Sequence, residues 1–290
     1  ARLAAIIPSI IVYNSKSYID FIFSALSFSI LLNKNVESIV GALIFAALLR
    51  RSVDENEVCK NIILLTINEI DLLKCELDMN TDRIFDLSIN PDTFLSILEE
   101  YRIIMYNIKD MDEKEKAEEV ICSYINKKNK TPIKRATVNH PICIIPYAIF
   151  LVDKYYHNYS DILFIAAEEG GATSILCTLI GSLIGSLYGT ESIPSELLDK
   201  LINKKRINTI VDTISKKRVL KSTIDDFIKT EASLTAKEFQ ELNAKIKHIT
   251  QKKKIKKKKT IVDREATLSK HVVESWTKIE KAKWRKRLEE

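Results

Sequence analysis

The sequence predicts an all-α fold, and three observations support that prediction. Apolar residues recur at helical spacing along most of the chain, and no convincing run alternates apolar and polar residues as a strand does. Gly and Pro number only six each in 290 residues, and both are unfavourable inside helices. Hydrophobic residues make up 46% of the chain, which is enough to form a sizeable core.

The individual helices are predicted from the apolar spacing and from the polar loops between them. Those of the first part of the chain are Ser17–Leu32, Val36–Arg50, Asp54–Lys74, Pro91–Ile108, Lys114–Asn126, Pro141–Tyr156, Ser160–Glu168, Ala172–Tyr188, Ser195–Ile202 and Asn208–Ile214. In the last part, one helix is predicted to begin near Ile224 and two more to cover Thr235–Thr250 and Ser269–Leu288. The helix over Thr235–Thr250 is amphipathic, with Phe239, Leu242, Ile246 and Ile249 on one side.

Charge divides the chain into two parts. Residues 216–290 contain 23 Lys and Arg against 11 Asp and Glu, a net charge of +12, whereas the whole chain has a net charge of only +6. Residues 1–215 are therefore acidic, with a net charge of −6. This asymmetry predicts a globular helical body over 1–215 and a basic helical extension over 216–290 that contacts a partner.

Cysteine use and hydropathy limit the class of protein. The five cysteines form no CxxC pair, so we expect reduced, mostly buried thiols, no zinc site, and an intracellular reducing compartment, either mitochondrial or cytoplasmic. The longest uncharged apolar run, Ala172–Tyr188, has 17 residues and lies at the lower limit for a membrane span. We interpret it as a buried central helix and expect no membrane insertion.

Five of the six glycines lie within one stretch of 20 residues. Gly181, Gly185 and Gly189 are spaced by four and line one side of a helix, which predicts close packing against a neighbouring helix. Gly170 and Gly171 precede that helix, and two interpretations remain open for them. They form either a plain tight turn or a turn whose N–H groups meet a phosphate or carboxylate.

The same stretch resembles the ADP-ribosylglycohydrolase family. That family has a GGDTDT motif, an apolar helix with repeated glycines and a YG…IP turn. The matching residues here are Gly170, Gly171, Thr173, Gly181, Gly185, Tyr188, Gly189, Ile193 and Pro194, followed by Leu197–Leu201 as the family's next short helix. A looser match aligns Leu32–Ala42 with the family's THGHPEAI-x-GA segment, and Gly41 falls on its glycine. The resemblance implies a helical glycohydrolase-like domain over about residues 1–214.

Departures from the family pattern change the predicted function. The resemblance implies two Mg²⁺ ions held by the two aspartates and the final threonine of GGDTDT, together with residues of an N-terminal segment. Here those three positions are Ala172, Ser174 and Ile175, and the family's histidine is Asn33. The GDALG-like and TDDT-like motifs of the N-terminal segment are absent or precede Ala1. Because Mg²⁺ prefers carboxylate oxygens, we expect no metal site, no cofactor and no catalytic residue.

The basic extension carries the remaining functional signal. Seven lysines surround Ile255, and a second basic cluster follows a tryptophan near the end of the chain. The candidate binding residues are Lys252, Lys253, Lys254, Lys256, Lys257, Lys258, Lys259, Trp284, Arg285, Lys286 and Arg287. Such clusters bind phosphate backbones by releasing counterions, and a tryptophan can stack on a base. A solvated tail, a nuclear-targeting patch or binding to an acidic protein surface such as tubulin stay open.

These observations lead to one main hypothesis and two alternatives. The main hypothesis is a non-catalytic glycohydrolase fold that serves as a structural or adaptor subunit of a large assembly, such as a ribosome or another ribonucleoprotein. The first alternative is an ADP-ribose or nucleotide reader, and the second is a cytoskeletal-complex subunit that binds an acidic surface. An active Mg²⁺-dependent hydrolase is disfavoured.

Overall fold

The computed structural model describes residues 17–54, 61–128, 131–156, 159–190, 193–199, 201, 204–215, 228–230, 232–248 and 285. The chain divides into two compact units, Ala1–Arg218 and Val219–Glu290. The sequence-based boundary between residues 215 and 216 lies close to this division and stays a prediction.

Helices account for the regular structure of the first unit, and the described residues contain no strand. In chain order the helices are α1 (Tyr18–Leu32), α2 (Val36–Asp54), α3 (Ile62–Asp78), α4 (Thr81–Asp86), α5 (Pro91–Ile108), α6 (Lys114–Asn126), α7 (Pro141–Tyr155), α8 (Tyr159–Glu168), α9 (Thr173–Tyr188), α10 (Ser195–Asp199) and α11 (Lys204–Ser215). The prediction of an all-α fold is confirmed.

Two helix starts show why the polar loops between helices are informative. The side chain of Asn35 accepts a hydrogen bond from the Ser38 N–H at 2.9 Å, at the beginning of α2. Asn90 accepts one from Thr93 at the same distance, and Pro91 occupies the first turn of α5. Asparagine before a helix satisfies an N–H group that has no partner within the helix. Both helices therefore begin where the sequence predicts.

The core of the first unit is built around α2 and α7. Every residue in 39–49 and in 142–152 is buried, so these two helices are covered on all sides. Helix α2 contacts α1, α3, α5, α7 and α9, and α7 contacts α2, α3, α5, α6, α8 and α9. Helices that are apolar all round become the centre of a domain because no face of them favours water.

Gly41 lies where α2, α5 and α7 meet. A Cβ atom at this position would lie 2.4 Å from the Tyr101 hydroxyl oxygen and 2.5 Å from Ile145 Cδ1. The Tyr101 side chain is itself buried, and its hydroxyl donates a hydrogen bond to the Glu37 carbonyl at 3.3 Å. Any side chain larger than hydrogen would force these neighbours apart, so the packing requires glycine here.

Helix α9 is only half covered, and the prediction that it is a buried central helix is wrong for this reason. Leu176, Leu179 and Leu183 are buried on one side, whereas Ser174 and Thr178 are exposed on the other. The predicted role of its glycines is also wrong. A Cβ at Gly185 or Gly189 would meet nothing within 4 Å, and one at Gly181 would meet only Leu163, at 3.9 Å. The glycine stripe is not a close helix contact among the described residues.

Three other element predictions need correction. The helix predicted over Asp54–Lys74 is α3, which begins at Ile62 and ends at Asp78, because the apolar periodicity that buries it starts only at residue 62. The six-residue helix α4 was not predicted. The helix predicted over Asn208–Ile214 begins earlier, at Lys204.

In the second unit, residues 232–248 form a helix that begins three residues before the predicted Thr235–Thr250 segment, and positions 249 and 250 lie outside the described residues. Of the helix predicted to begin near Ile224, only residues 228–230 are described, and they are helical. The helix predicted over Ser269–Leu288 lies outside the described residues, apart from the isolated position 285.

The cysteines are free thiols in varied surroundings. Cys122 and Cys143 are buried, Cys177 is half-buried and Cys75 is exposed, while Cys59 lies outside the described residues. Burial raises the pKa of Cys143 to about 12, with a further contribution from nearby Cys122. In the part of the chain that the structure describes, no helix is both long and apolar enough to cross a membrane.

Candidate functional site

The candidate site is the turn between α8 and α9, where the sequence resembles a magnesium-binding motif. Gly170 and Gly171 both have positive φ, at 71° and 68°, in the left-handed region that favours glycine. These two residues reverse the chain after α8 so that α9 can begin at Thr173. These angles establish a tight turn, which both interpretations of the sequence require, so the choice between a plain turn and one that binds a phosphate or carboxylate stays open.

Contact with Thr137 fixes the turn in place. The Ala172 N–H donates a hydrogen bond to the Thr137 carbonyl at 2.7 Å. A Cβ on Gly171 would lie 2.6 Å from that carbonyl oxygen and 2.5 Å from the Thr137 hydroxyl oxygen. The hydroxyl is buried and has no hydrogen-bond partner among the described residues. Thr137 thus closes the inner side of the turn, so the turn packs directly against the body.

The three positions that correspond to metal ligands do not suit Mg²⁺. Ala172 is the N-cap residue of α9, makes no side-chain hydrogen bond and packs against the hydrophobic core. Ile175 also packs against the core, and Ser174 is exposed to solvent. A hard divalent ion needs several oxygen ligands, preferably carboxylates, and these side chains supply a single neutral hydroxyl. Nowhere in the described residues do three or more His, Cys, Asp or Glu side chains form a group that could hold a metal ion.

The acidic residue nearest the turn, Glu169, is buried and engaged by two cations. Its Oε1 accepts from Lys114 Nζ at 2.6 Å, and its Oε2 accepts from Arg135 Nη2 at 3.1 Å. The Glu169 side chain is 5% exposed, whereas the lysine and arginine are 35% and 50% exposed. The carboxylate therefore ties the end of α8 to α6 and to the loop before α7.

The ionisation of neighbouring groups reflects this carboxylate. Its hydrogen bond raises the pKa of Lys114 above the ordinary lysine value. Burial, followed by the negative charge of Glu169, raises the pKa of Tyr147 well above the ordinary tyrosine value. Both effects favour a charged Lys114 and a neutral Tyr147.

A second carboxylate completes a balanced set of charges. Glu118 accepts a hydrogen bond from the Ala136 N–H at 2.8 Å, and its Oε1 lies 3.5 Å from Arg135 Nε. Two carboxylates and two cations thus occupy the base of the turn, and their formal charges cancel. A cation site needs an excess of negative charge, which this arrangement lacks. No local pattern in the sequence links the members of this cluster.

An open groove of about 470 Å³ lies elsewhere on the body, between α3, α5 and α6. Four of its charged side chains form ion pairs, Lys74 with Glu99 at 2.7 Å and Lys128 with Glu100. Tyr124 lies on one wall. None of the Gly170–Ile175 residues is among those that line this groove.

The predicted binding residues of the extension are almost all beyond the described part. Arg285 is described and is exposed. The remaining candidates lie outside the described residues: Lys252, Lys253, Lys254, Lys256, Lys257, Lys258, Lys259, Trp284, Lys286 and Arg287. Their role as a nucleic-acid or acidic-partner site stays a prediction.

Comparison with known proteins identifies the family. Residues 5–224 match the model of the family described as ADP-ribosylglycohydrolase, which covers most of the chain. No curated protein and no solved structure matched the chain. The match includes the Gly170–Gly171 turn, helix α9 and the Gly41 crossing. The chain therefore belongs to the ADP-ribosylglycohydrolase family.

Proposed function

We propose that this chain is a non-catalytic member of its family, in which the fold has been retained and the metal chemistry lost. The observation that carries the proposal is the replacement of three ligand positions by Ala172, Ser174 and Ile175. Two of these side chains contribute to apolar packing instead. The nearest carboxylate, Glu169, would have to leave two cations to bind a metal, and breaking a buried ion pair is costly.

Binding of Mn²⁺, a paramagnetic substitute for Mg²⁺, tests this part of the proposal. We expect electron paramagnetic resonance titration of the full chain to show no tightly bound Mn²⁺. One or two ions bound with a Kd on the order of 10 µM or tighter would contradict it.

We further propose that the chain acts as a structural or adaptor subunit, anchored through residues 216–290 to RNA in a ribosome or another ribonucleoprotein. The support is the contrast between an acidic body and an extension with a net charge of +12. Seven lysines between positions 252 and 259 would displace condensed counterions from single-stranded RNA. This proposal places the protein inside a mitochondrion or the cytoplasm, where such assemblies occur.

The salt dependence of RNA binding is the matching experiment. If all seven lysines contact phosphates, log K should fall with log salt at a slope of about −5, so affinity drops roughly 10³-fold between 50 and 200 mM salt. Replacing Lys256–Lys259 with glutamine should reduce the slope to about −2, because three lysines of the run remain.

The matched control replaces four exposed lysines of the body with glutamine, at Lys34, Lys127, Lys134 and Lys205. It removes the same total charge and should leave the slope unchanged. An equal reduction of the slope in both variants would mean that net charge, and not the lysine run, drives binding. Failure of the intact chain to bind RNA, together with binding to an acidic protein surface, would favour the adaptor role without RNA.

A further inference from the structure

The helix formed by residues 232–248 exposes a row of apolar side chains. Phe239 is 63% exposed and Leu242 is 53% exposed, although both are large and hydrophobic. Large apolar side chains that lie in one row on a surface helix mark a contact surface. The RNA-anchoring role of the lysine run does not use them, so they need a separate explanation.

The spacing of this row identifies the kind of partner. Ala232, Thr235, Phe239, Leu242 and Ile246 follow one another at alternating steps of three and four residues. That alternation matches the seam spacing of a two-stranded coiled coil over five positions, and in such a seam each residue inserts between residues of a facing helix. The exposed face is therefore shaped for another helix.

We infer that this helix pairs with the same helix of a second copy of the chain, in an antiparallel arrangement about a two-fold axis. With the axis between Phe239 and Leu242, each phenylalanine faces Leu242 of the second copy. Each Ile246 then faces Thr235 of the second copy. Large and small side chains thus alternate across the seam, which fills the space better than a layer of two threonines.

Charge complementarity selects this occupant and this direction. In the antiparallel register, Glu238 of one helix flanks the seam opposite Lys245 of the other. The two-fold axis makes this opposite-charge contact twice. In a parallel pair, Glu238 would instead lie beside Asn243 of the second copy, and neither charge would gain an opposite partner.

The position of the lysine run also favours the antiparallel arrangement. The run begins at Lys252, four residues after the last described residue of the helix. A parallel pair would bring two such runs to the same end and make them repel one another. An antiparallel pair separates the two ends by about 26 Å, the length of 17 helical residues. That distance is about three Debye lengths at physiological salt, so repulsion is screened.

Sedimentation equilibrium of the full chain, over loading concentrations of about 5 to 500 µM, tests the inference. We expect a reversible monomer–dimer equilibrium. Glu238→Lys and Lys245→Glu should each weaken dimerisation by roughly tenfold, because each places two like-charge pairs across the seam. The double variant restores both opposite-charge contacts and should return dimerisation to within about threefold of the original chain.

Lys237→Glu is the matched control, since it changes charge by the same amount on a side of the helix away from the seam, and it should leave dimerisation unchanged. Circular dichroism of each variant checks that helix content is preserved. A chain that stays monomeric throughout, or dimers that respond to neither single charge change, would overturn the inference. Its outcome is independent of whether the body binds metal or the extension binds RNA.

Discussion

Replacing Gly171 with alanine should destabilise the body strongly, because two separate costs coincide at this residue. Its φ of 68° disfavours any residue with a Cβ by about 1 kcal/mol. The added Cβ would also lie 2.6 Å from the Thr137 carbonyl oxygen, where an ordinary contact is about 3.4 Å or longer. Such overpacking typically costs about 1–3 kcal/mol. The expected loss is about 2–4 kcal/mol in the free energy of unfolding.

Two other glycines separate these costs. Gly170 has a similar φ of 71°, but its added Cβ would meet only Arg135 Nη1 at 3.9 Å, so Gly170→Ala should cost about 1 kcal/mol. Gly185 lies inside α9, and a Cβ added there would have no described atom within 4 Å, so Gly185→Ala should stabilise the body by about 0.5–1 kcal/mol.

Urea unfolding followed by circular dichroism at 222 nm measures all three variants against the original chain. If Gly171→Ala is no less stable than Gly170→Ala, the close contact with Thr137 does not exist. If Gly185→Ala is destabilised, that face of α9 is covered by a neighbour and the description of the helix is wrong. Thermal melting should give the same order, with about 2–4 °C for each kcal/mol.

Three further predictions concern the surroundings of the turn. Glu169→Gln should destabilise the body by about 2 kcal/mol, because it leaves two cations without their buried partner. Glu168 is exposed, so the control Glu168→Gln should change the free energy of unfolding by less than about 0.5 kcal/mol in the same urea titration. Burial raises the pKa of Cys143 to about 12, compared with 9.0 in the unfolded chain. The free energy of unfolding therefore has its full value below pH 9 and falls as pH rises toward 12. Cys143→Ala should flatten the fall in urea midpoint across that interval, and an unchanged profile would assign it to other groups. Finally, Ala172→Asp should increase the free energy of unfolding by about 1 kcal/mol without added metal, because aspartate caps α9 and complements its dipole. The melting temperature should therefore rise. A lower melting temperature would count against the N-cap assignment.

The sequence was informative where a single local signal sets the structure. Asn35 and Asn90 mark helix starts because capping involves residues only three apart in the chain. The paired glycines predict a tight turn, and their positive φ values show one, but they do not show whether its N–H groups bind a ligand. Helix α4 could not be predicted, since six residues with a single buried side chain, Ile84, contain no periodic signal.

The sequence was uninformative where structure depends on distant contacts. A spacing of four shows that Gly181 and Gly185 share a face of α9, but it does not show whether another helix covers that face. Likewise, Glu169 is 55 residues from Lys114 and 34 from Arg135, so no local pattern could reveal the ion cluster beneath the turn. The all-α fold and the turn at Gly170 and Gly171 could thus be predicted, whereas the contacts that hold the turn in place could not.

Turnover is the most direct test of the claim that the family's chemistry is lost. Release of ADP-ribose from an ADP-ribosylated protein or peptide should be measured with the full chain in millimolar Mg²⁺, and again after chelation. We expect no Mg²⁺-dependent release above the protein-free rate. Robust release that disappears on chelation would show that the residues at Ala172, Ser174 and Ile175 do not prevent catalysis, and would contradict the proposed function at its centre.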